Sequence, residues 1–348
     1  MELKDFYRQK IDKKSMLGCG SQIVGALRDG GKTFFELCEI IHCPAATVRA
    51  CLNMFLKNGV TYNLLGRYVL EDGVGDFVVP VKNSASNGSK YHSVVPAKCN
   101  LSLAVVGRGD KLHELDMFFC PFDLVWDEAD FVPADDNSLS VENNTGFDDF
   151  DPERFVKEMR PKIEKIAKKF GVTGAVRIKK GVPLGAGLGG SSSSLVAAYY
   201  AMKKYADEKG VKYDFSPKYL ATLSSDFPAM ALGCACRVRG VGEKVEQIDE
   251  KIKIKFVGFK TADGGSDTAA VYKKFDENNK VLSVPPSENA AHALKNPRND
   301  LYVPACKLNA NIKKSFDDLK SQKPDFVLMT GSGSAVVALD YQIVNTKG

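Results

Sequence analysis

Apolar positions along the chain follow two rhythms, and the switches between them mark its elements. In SQIVGALRDGG (21–31) they recur every three or four residues, which predicts a short amphipathic helix stopped by a glycine pair. TFFELCEIIHC (33–43) repeats the helical rhythm, with Thr33 as N-cap and Glu36 three residues on, the signature of a capping box. After a turn at Pro44 and Ala45, ATVRACLNMFLKNG (46–59) predicts a helix ending at glycine. TYNLLGRYVLEDG (61–73) then alternates around Gly66, as a β-hairpin does. Helix, helix, turn, helix and hairpin is the order of a winged helix-turn-helix. In that reading the helix at 46–58 carries Arg49, Asn53 and Lys57 toward a DNA major groove.

Residues 80–92, PVKNSASNGSKYH, lose the apolar rhythm. Their Ser, Asn and Gly content reads as a linker at 81–92, closing a first domain at 1–80. The acidic stretch DFVPADDNSLSVENNTGFDDFDPE (130–153) reads as a polar, solvated loop. FVKEMRPKIEKIAKKF (155–170) has helical spacing despite Pro161, and GAVRIKKGVPL (174–184) is a strand running into a turn. LVAAYYAMKKYADEK (195–209) and PKYLATLSSD (217–226) read as helices, and KIKIKFVGFK (251–260) alternates strictly as a strand. Strands and helices mixed in this order predict an α+β architecture.

Bulk properties narrow the picture only a little. A length of 348 residues suggests two or three domains, and 26% charged with 44% hydrophobic residues is ordinary globular composition. A net charge of +5 suits an enzyme that handles anions as well as a weak nucleic-acid binder. Over residues 1–90, 12 Lys and Arg face 9 Asp and Glu, so the expected recognition helix sits in no strongly basic domain. A structural or protein-interaction role is the competing expectation for residues 1–80. No stretch approaches the roughly 18 apolar residues of a spanning helix, and the charged start MELKDFYRQKIDKK lacks a secretory apolar region. No membrane partner and a cytoplasmic location are therefore expected. Nine scattered cysteines without a CxxC pair fit reduced thiols. Cys38, His42, Cys43 and Cys51 lie close together, but their spacing matches no common zinc pattern, and buried packing is the expectation there.

The sharpest chemical signal is Pro-Leu-Gly-Ala-Gly-Leu-Gly-Gly-Ser-Ser-Ser-Ser, from Pro183 to Ser194, between a strand and a helix. Its glycines let the backbone approach a ligand closely and adopt positive φ. Its serines open a helix whose free N–H groups and positive dipole end face back into the bend. Such a bend cradles phosphate, with amide donors free of side-chain bulk and hydroxyls for phosphate oxygens or a metal ion. It lacks the Gly-Lys-Ser/Thr of a Walker A motif and the spacing of a dinucleotide fingerprint.

This segment resembles the phosphate loop of the GHMP kinases, which include galactokinase and the homoserine, mevalonate and phosphomevalonate kinases. Within them it is most similar to the 4-diphosphocytidyl-2-C-methyl-D-erythritol kinases. PAKCNLSLAVVGRGDKLHEL (96–115), SSDFPAMALGCACRVRGVGEKVEQI (224–248), RNDLYVPACKL (298–308) and MTGSGSAVVAL (329–339) resemble that family's other motifs, in its order. The resemblance spans residues 93–340. It implies a two-lobed fold, with a ribosomal protein S5 domain 2-like lobe at 93–249 and a short ferredoxin-like lobe at 250–348. It implies ATP as phosphoryl donor, accompanied by Mg²⁺. Pro183, Gly185, Gly187, Leu188, Gly189, Gly190, Ser191, Ser192 and Ser193 match the ATP phosphate loop. Asp226 matches the residue that takes or orients the proton of the attacking hydroxyl, and Lys98 the cation beside it that stabilises the developing alkoxide. Asn100 and His113 match substrate-side residues, the histidine reading a cytosine edge. Gly331, Ser332, Gly333 and Ser334 match a glycine-rich motif that supports the site. The implied reaction is phosphorylation of the 2-hydroxyl of 4-diphosphocytidyl-2-C-methyl-D-erythritol, in non-mevalonate isoprenoid precursor synthesis.

The sequence departs from that pattern at three places. Leu112 stands where the family's first motif usually has a tyrosine; leucine packs on a base but offers no aromatic face. Ser194 stands where Asp or Asn is common, and the chain stops soon after the third motif. Leu112 keeps a different small alcohol open as acceptor. Residues 1–80 keep open a ligand-sensing DNA-binding regulator built on a kinase domain. The expected partners are ATP and a small-molecule substrate, DNA or a protein through residues 1–80, and a second copy in a homodimer.

Overall fold

A computed structural model describes residues 13–41, 43–71, 89–109, 112–146, 150–278 and 285–344. Helix α1 (Lys13–Arg28), the short β1 (Lys32–Thr33), α2 (Phe34–Ile40) and α3 (Ala45–Lys57) lead into a hairpin of β2 (Thr61–Leu64) and β3 (Arg67–Leu70). The capping box forms as expected. Thr33 Oγ1 accepts from the Glu36 amide at 3.1 Å, and Glu36 Oε2 accepts from the Thr33 amide at 2.7 Å. One expectation fails in α3. Arg49 lies on the helix face that buries Val48, Cys51 and Leu52, and is only 3% exposed. Its guanidinium donates to the Tyr68 hydroxyl at 2.6 Å and pairs with Asp123 at 3.5 Å, while Tyr68 donates to the same carboxylate. A cation held this way does not reach a DNA groove; Asn53 and Lys57 remain exposed.

Two long strands follow, β4 (Tyr91–Arg108) and β5 (His113–Pro133), which pair with each other. The stretch expected as linker therefore ends in a strand: Tyr91 and His92 open β4, and Lys90 pairs with Glu208 at 2.7 Å. Residues 81–88 lie outside the described residues. The acidic stretch 130–153 is also not a loop throughout. β5 runs to Pro133, and β6 (Ser138–Asn143) pairs parallel with β7 (Gly174–Lys180). Helix α4 (Pro152–Phe170) starts where Asp151 accepts from the Arg154 amide at 3.0 Å. In SLSVEN only Leu139 turns fully inward, too faint an alternation to read as a strand. The remaining elements are α5 (Gly190–Glu208), α6 (Pro217–Leu223), α7 (Phe227–Leu232), β8 (Cys236–Gly240), β9 (Lys244–Gln247) and β10 (Ile252–Thr261). After them come α8 (Thr268–Asn278), α9 (Ala290–Lys295), α10 (Tyr302–Leu308), α11 (Asn311–Lys320), β11 (Phe326–Met329) and β12 (Ala335–Ile343).

The residues form two units, each discontinuous in sequence. The first comprises Met1–Pro96, Asp123–Gly181 and Ser194–Asp214, and the second Ala97–Phe122, Val182–Ser193 and Phe215–Gly348. In the first unit the core of the N-terminal helices, including Ile23, Leu27, Phe34, Leu37, Val48 and Leu52, runs on into Val94 of β4 and Trp126 of β5. Phe34 and Trp126 meet with ring centroids 5.3 Å apart, and Phe35 meets Tyr200 at 4.8 Å. Helix α4 buries Phe155, Met159, Ile163, Ile166 and Phe170 along one stripe. In the second unit β10, β12 and β11 pair antiparallel in that order. A register shift between Phe256 and Gly258 ends the strict alternation that the sequence promised for β10. Phe122 seals this region against Phe256 and Phe259, at 4.8 and 5.3 Å.

Candidate active site

All residues that the sequence assigned to phosphoryl transfer lie in the second unit. The loop between β7 and α5 turns on Gly185, Gly187 and Gly189, with φ of 62°, 74° and 77°. A Cβ on Gly187 would lie 2.0 Å from the Thr330 carbonyl oxygen, so dihedral and space both demand glycine there. Gly185, Gly187, Gly189 and Ser191 form the accessible side of the loop; Pro183, Leu188, Gly190, Ser192 and Ser193 are buried. Two serine hydroxyls serve the loop itself, Ser192 Oγ lying 2.6 Å from Ser224 Oγ and Ser193 Oγ donating to the Gly190 carbonyl at 2.9 Å.

The loop is laced to strands on either side. The Lys98 amide donates to the Leu188 carbonyl at 3.0 Å, and the Ser334 and Ala335 amides donate to Gly185 and Ala186 carbonyls at 3.1 and 2.9 Å. Lys98 Nζ reaches 3.4 Å from Asp226 Oδ2, with side chains 4% and 21% exposed. A Cβ on Gly189 would lie 3.0 Å from Lys98 Cγ, so the loop passes directly over this lysine. Asp226 holds the N-cap position of α7, yet its carboxylate makes no cap hydrogen bond and turns to Lys98 instead. Burial first, and the charge of Asp226 second, push the Tyr272 phenol well above its ordinary pKa.

The expected substrate contacts divide. Asn100 is fully buried. Its carboxamide oxygen accepts from Lys98 Nζ at 2.8 Å and from the Gly331 amide at 3.0 Å. Gly331, Ser332 and Gly333 are buried behind the loop as well, with Ser332 Oγ 2.8 Å from Thr268 Oγ1. His113 is half-buried; its Nε2 lies 2.7 Å from Asp276 Oδ1, and its ring stacks on Tyr272 at 4.8 Å and 23°. Leu112 beside it is 59% exposed.

Several supporting residues escaped the sequence reading. Thr330 Oγ1 accepts from the Asn100 amide at 3.0 Å and lies 3.2 Å from the Gly187 carbonyl. Asn299 Nδ2 donates to the Met329 and Gly331 carbonyls at 2.6 and 2.8 Å. Asp300 accepts from the Val105 amide at 2.9 Å while Arg298 clamps it with two bonds, at 2.7 and 2.9 Å. Thr330 and the Asn-Asp pair stood inside family-like segments, which was the available signal; Tyr272 and Asp276 had none. Among the described residues no group of three or more His, Cys, Asp or Glu is arranged to hold a metal ion. Cys51 is part of the N-terminal core, Cys38 and Cys43 pack against it, and His42 lies outside the described residues.

Comparison with known proteins follows the same line. The GHMP kinases N terminal domain profile matches residues 154–236. A protein of Carboxydothermus hydrogenoformans named 4-diphosphocytidyl-2-C-methyl-D-erythritol kinase is 30% identical over 269 residues, covering 72% of this chain and 89% of its own. One of the same name from a Geobacillus species is 30% identical over 259 residues, covering 70% and 86%. A crystal structure of 4-(cytidine 5'-diphospho)-2C-methyl-D-erythritol kinase matches with a TM-score of 0.54 at 27% identity, over 71% of this chain and 89% of that one.

Proposed function

The chain belongs to the 4-diphosphocytidyl-2-C-methyl-D-erythritol kinase family of GHMP kinases, and on that premise we propose that it transfers the γ-phosphoryl group of ATP to the 2-hydroxyl of 4-diphosphocytidyl-2-C-methyl-D-erythritol. The observation that carries this reading is the Lys98–Asp226 pair, 3.4 Å apart, with the glycine loop passing over the lysine. The Asp226 carboxylate takes the acceptor's hydroxyl proton as its oxygen bonds to the γ-phosphorus and the bond to ADP breaks. The Lys98 ammonium offsets negative charge on that oxygen. The accessible backbone of Gly185, Gly187 and Gly189 and the opening turn of α5 receive the phosphates.

Mg²⁺ bound with ATP neutralises charge on the phosphate oxygens. The exposed Ser191 hydroxyl is a hard oxygen donor of the kind Mg²⁺ prefers and would hold it beside the phosphates, leaving the Asp226 carboxylate to the acceptor's proton. His113, with Nε2–H donating to Asp276, keeps Nδ1 as an acceptor for the exocyclic amine of cytosine. A second reading, a different small alcohol, draws on Leu112, which leaves that base without an aromatic face on one side. Free thiols throughout the described residues support a cytoplasmic setting.

The test is ATP consumption with the cytidine substrate and with a panel of other alcohols. The cytidine substrate should be preferred, and Asp226→Asn should lower kcat by about 10²–10⁴ with little change in KM for ATP. Equal turnover by the variant would remove Asp226 from the chemistry. For residues 1–80 we favour a structural role, because Arg49 is buried; salt-dependent DNA binding by the intact protein would contradict it.

A further inference from the structure

We propose that Asp127 is the positioning residue for the phosphate loop, holding the strand end before it and the helix after it on one buried carboxylate. This rests on the kinase reading of that loop. Asp127 Oδ1 accepts from the Gly181 amide at 2.8 Å. Its Oδ2 accepts from Ser194 Oγ at 2.7 Å and from Lys180 Nζ at 2.7 Å. Gly181 immediately precedes the loop, and Ser194 lies one turn into α5, which begins at Gly190 where the loop ends. One side chain therefore fixes where the backbone leaves β7 and holds α5 one turn after its start.

The arrangement is chemically closed. Asp127, Lys180 and Ser194 are all fully buried, so none of them touches a substrate, and Asp127 acts through the loop alone. A buried carboxylate requires a counter-charge and hydrogen-bond donors on its lone pairs, which Lys180, Ser194 and the Gly181 amide supply. The loop needs such anchoring because its glycines have more backbone freedom to lose than any other residue. The Ser194 hydroxyl, one turn into α5, fixes the rotation of the helix about its axis, and with it the direction in which the amides of the first turn open toward phosphate. An ordinary buried ion pair would support the fold without distinguishing nucleotide from acceptor. Loss of a loop clamp weakens nucleotide binding specifically.

The discriminating variant is Asp127→Leu with Lys180→Met, which removes the acceptor and its counter-charge together and strands no charge. Affinity for a non-hydrolysable ATP analogue with Mg²⁺ is measured by calorimetry with no alcohol present, alongside circular dichroism and Tm. In the folded double variant it should fall about tenfold or more, while the KM for the turned-over alcohol changes less than about twofold. Ser194→Ala should lower nucleotide affinity about threefold, and Ser194→Thr should restore it. Nucleotide affinity within twofold of the native protein in the folded double variant overturns the clamp. If the double variant does not fold, unchanged affinity in Ser194→Ala overturns it instead. A native protein that bound no nucleotide would sink the kinase reading and the clamp together, whereas equal binding by native protein and variants sinks only the clamp.

Discussion

Thr330 shows how much one hydroxyl can organise. It takes the Asn100 amide of β4, faces the Gly187 carbonyl of the loop, and precedes the buried glycines of the β11–β12 turn. Thr330→Val keeps the shape and strands a buried amide, which should cost about 1–3 kcal/mol in urea denaturation. Gly187→Ala should do more, since it meets a carbonyl at 2.0 Å and a φ of 74°. We expect nucleotide binding to be lost in that variant, as calorimetry would report. Lys98 and Asp226 were legible because family-like motifs surround them. Asn100 stood in the same motif, but its burial was not legible, because a polar residue on a strand does not declare which way it faces. Thr330 stood inside the family-like segment 329–339, but its role did not show: its partner Asn100 is 230 positions away in the chain, and neither periodicity nor composition records such a bond.

Whole elements were easier to read than their faces. The capping box of α2, the hairpin and the stripe on α4 follow from local chemistry, which is why spacing alone found them. Arg49 was misjudged because a charged residue in an amphipathic helix normally faces water, and nothing local announces Asp123 on β5 as its partner. β6 was missed because one inward leucine is not an alternation. The Arg49 pairing makes a sharp prediction. Asp123→Ala strands a buried guanidinium and should destabilise by about 3–5 kcal/mol, whereas Arg49→Met with Asp123→Leu should recover most of that loss. Denaturant midpoints of the two variants decide it; equal losses would mean that Arg49 finds water when unpaired.

At the scale of the molecule, the family-like motifs cover residues 93–340 and are silent about what precedes them. The structure fills that silence with packing. Helices α1–α3 share a hydrophobic core with β4 and β5, so the appended domain is part of the body of the first unit. Phe34→Ala should therefore cost about 3–5 kcal/mol for the unit as a whole, and thermal unfolding should remain a single transition. A separate early transition would mean that the N-terminal domain unfolds alone. Such a shared core is assembled from residues far apart in sequence, so the joint of the first helices with β4 and β5 has no local signature in the chain.

That joint carries its own optical probe. Trp126 is the chain's single tryptophan, 5% exposed and set against Phe34. Its indole emission should be blue in the native protein and move red in Phe34→Ala, as water enters beside the ring. Unlabelled protein under an ordinary fluorimeter would thus display, through one chromophore, whether the first helices are seated on the enzyme they precede.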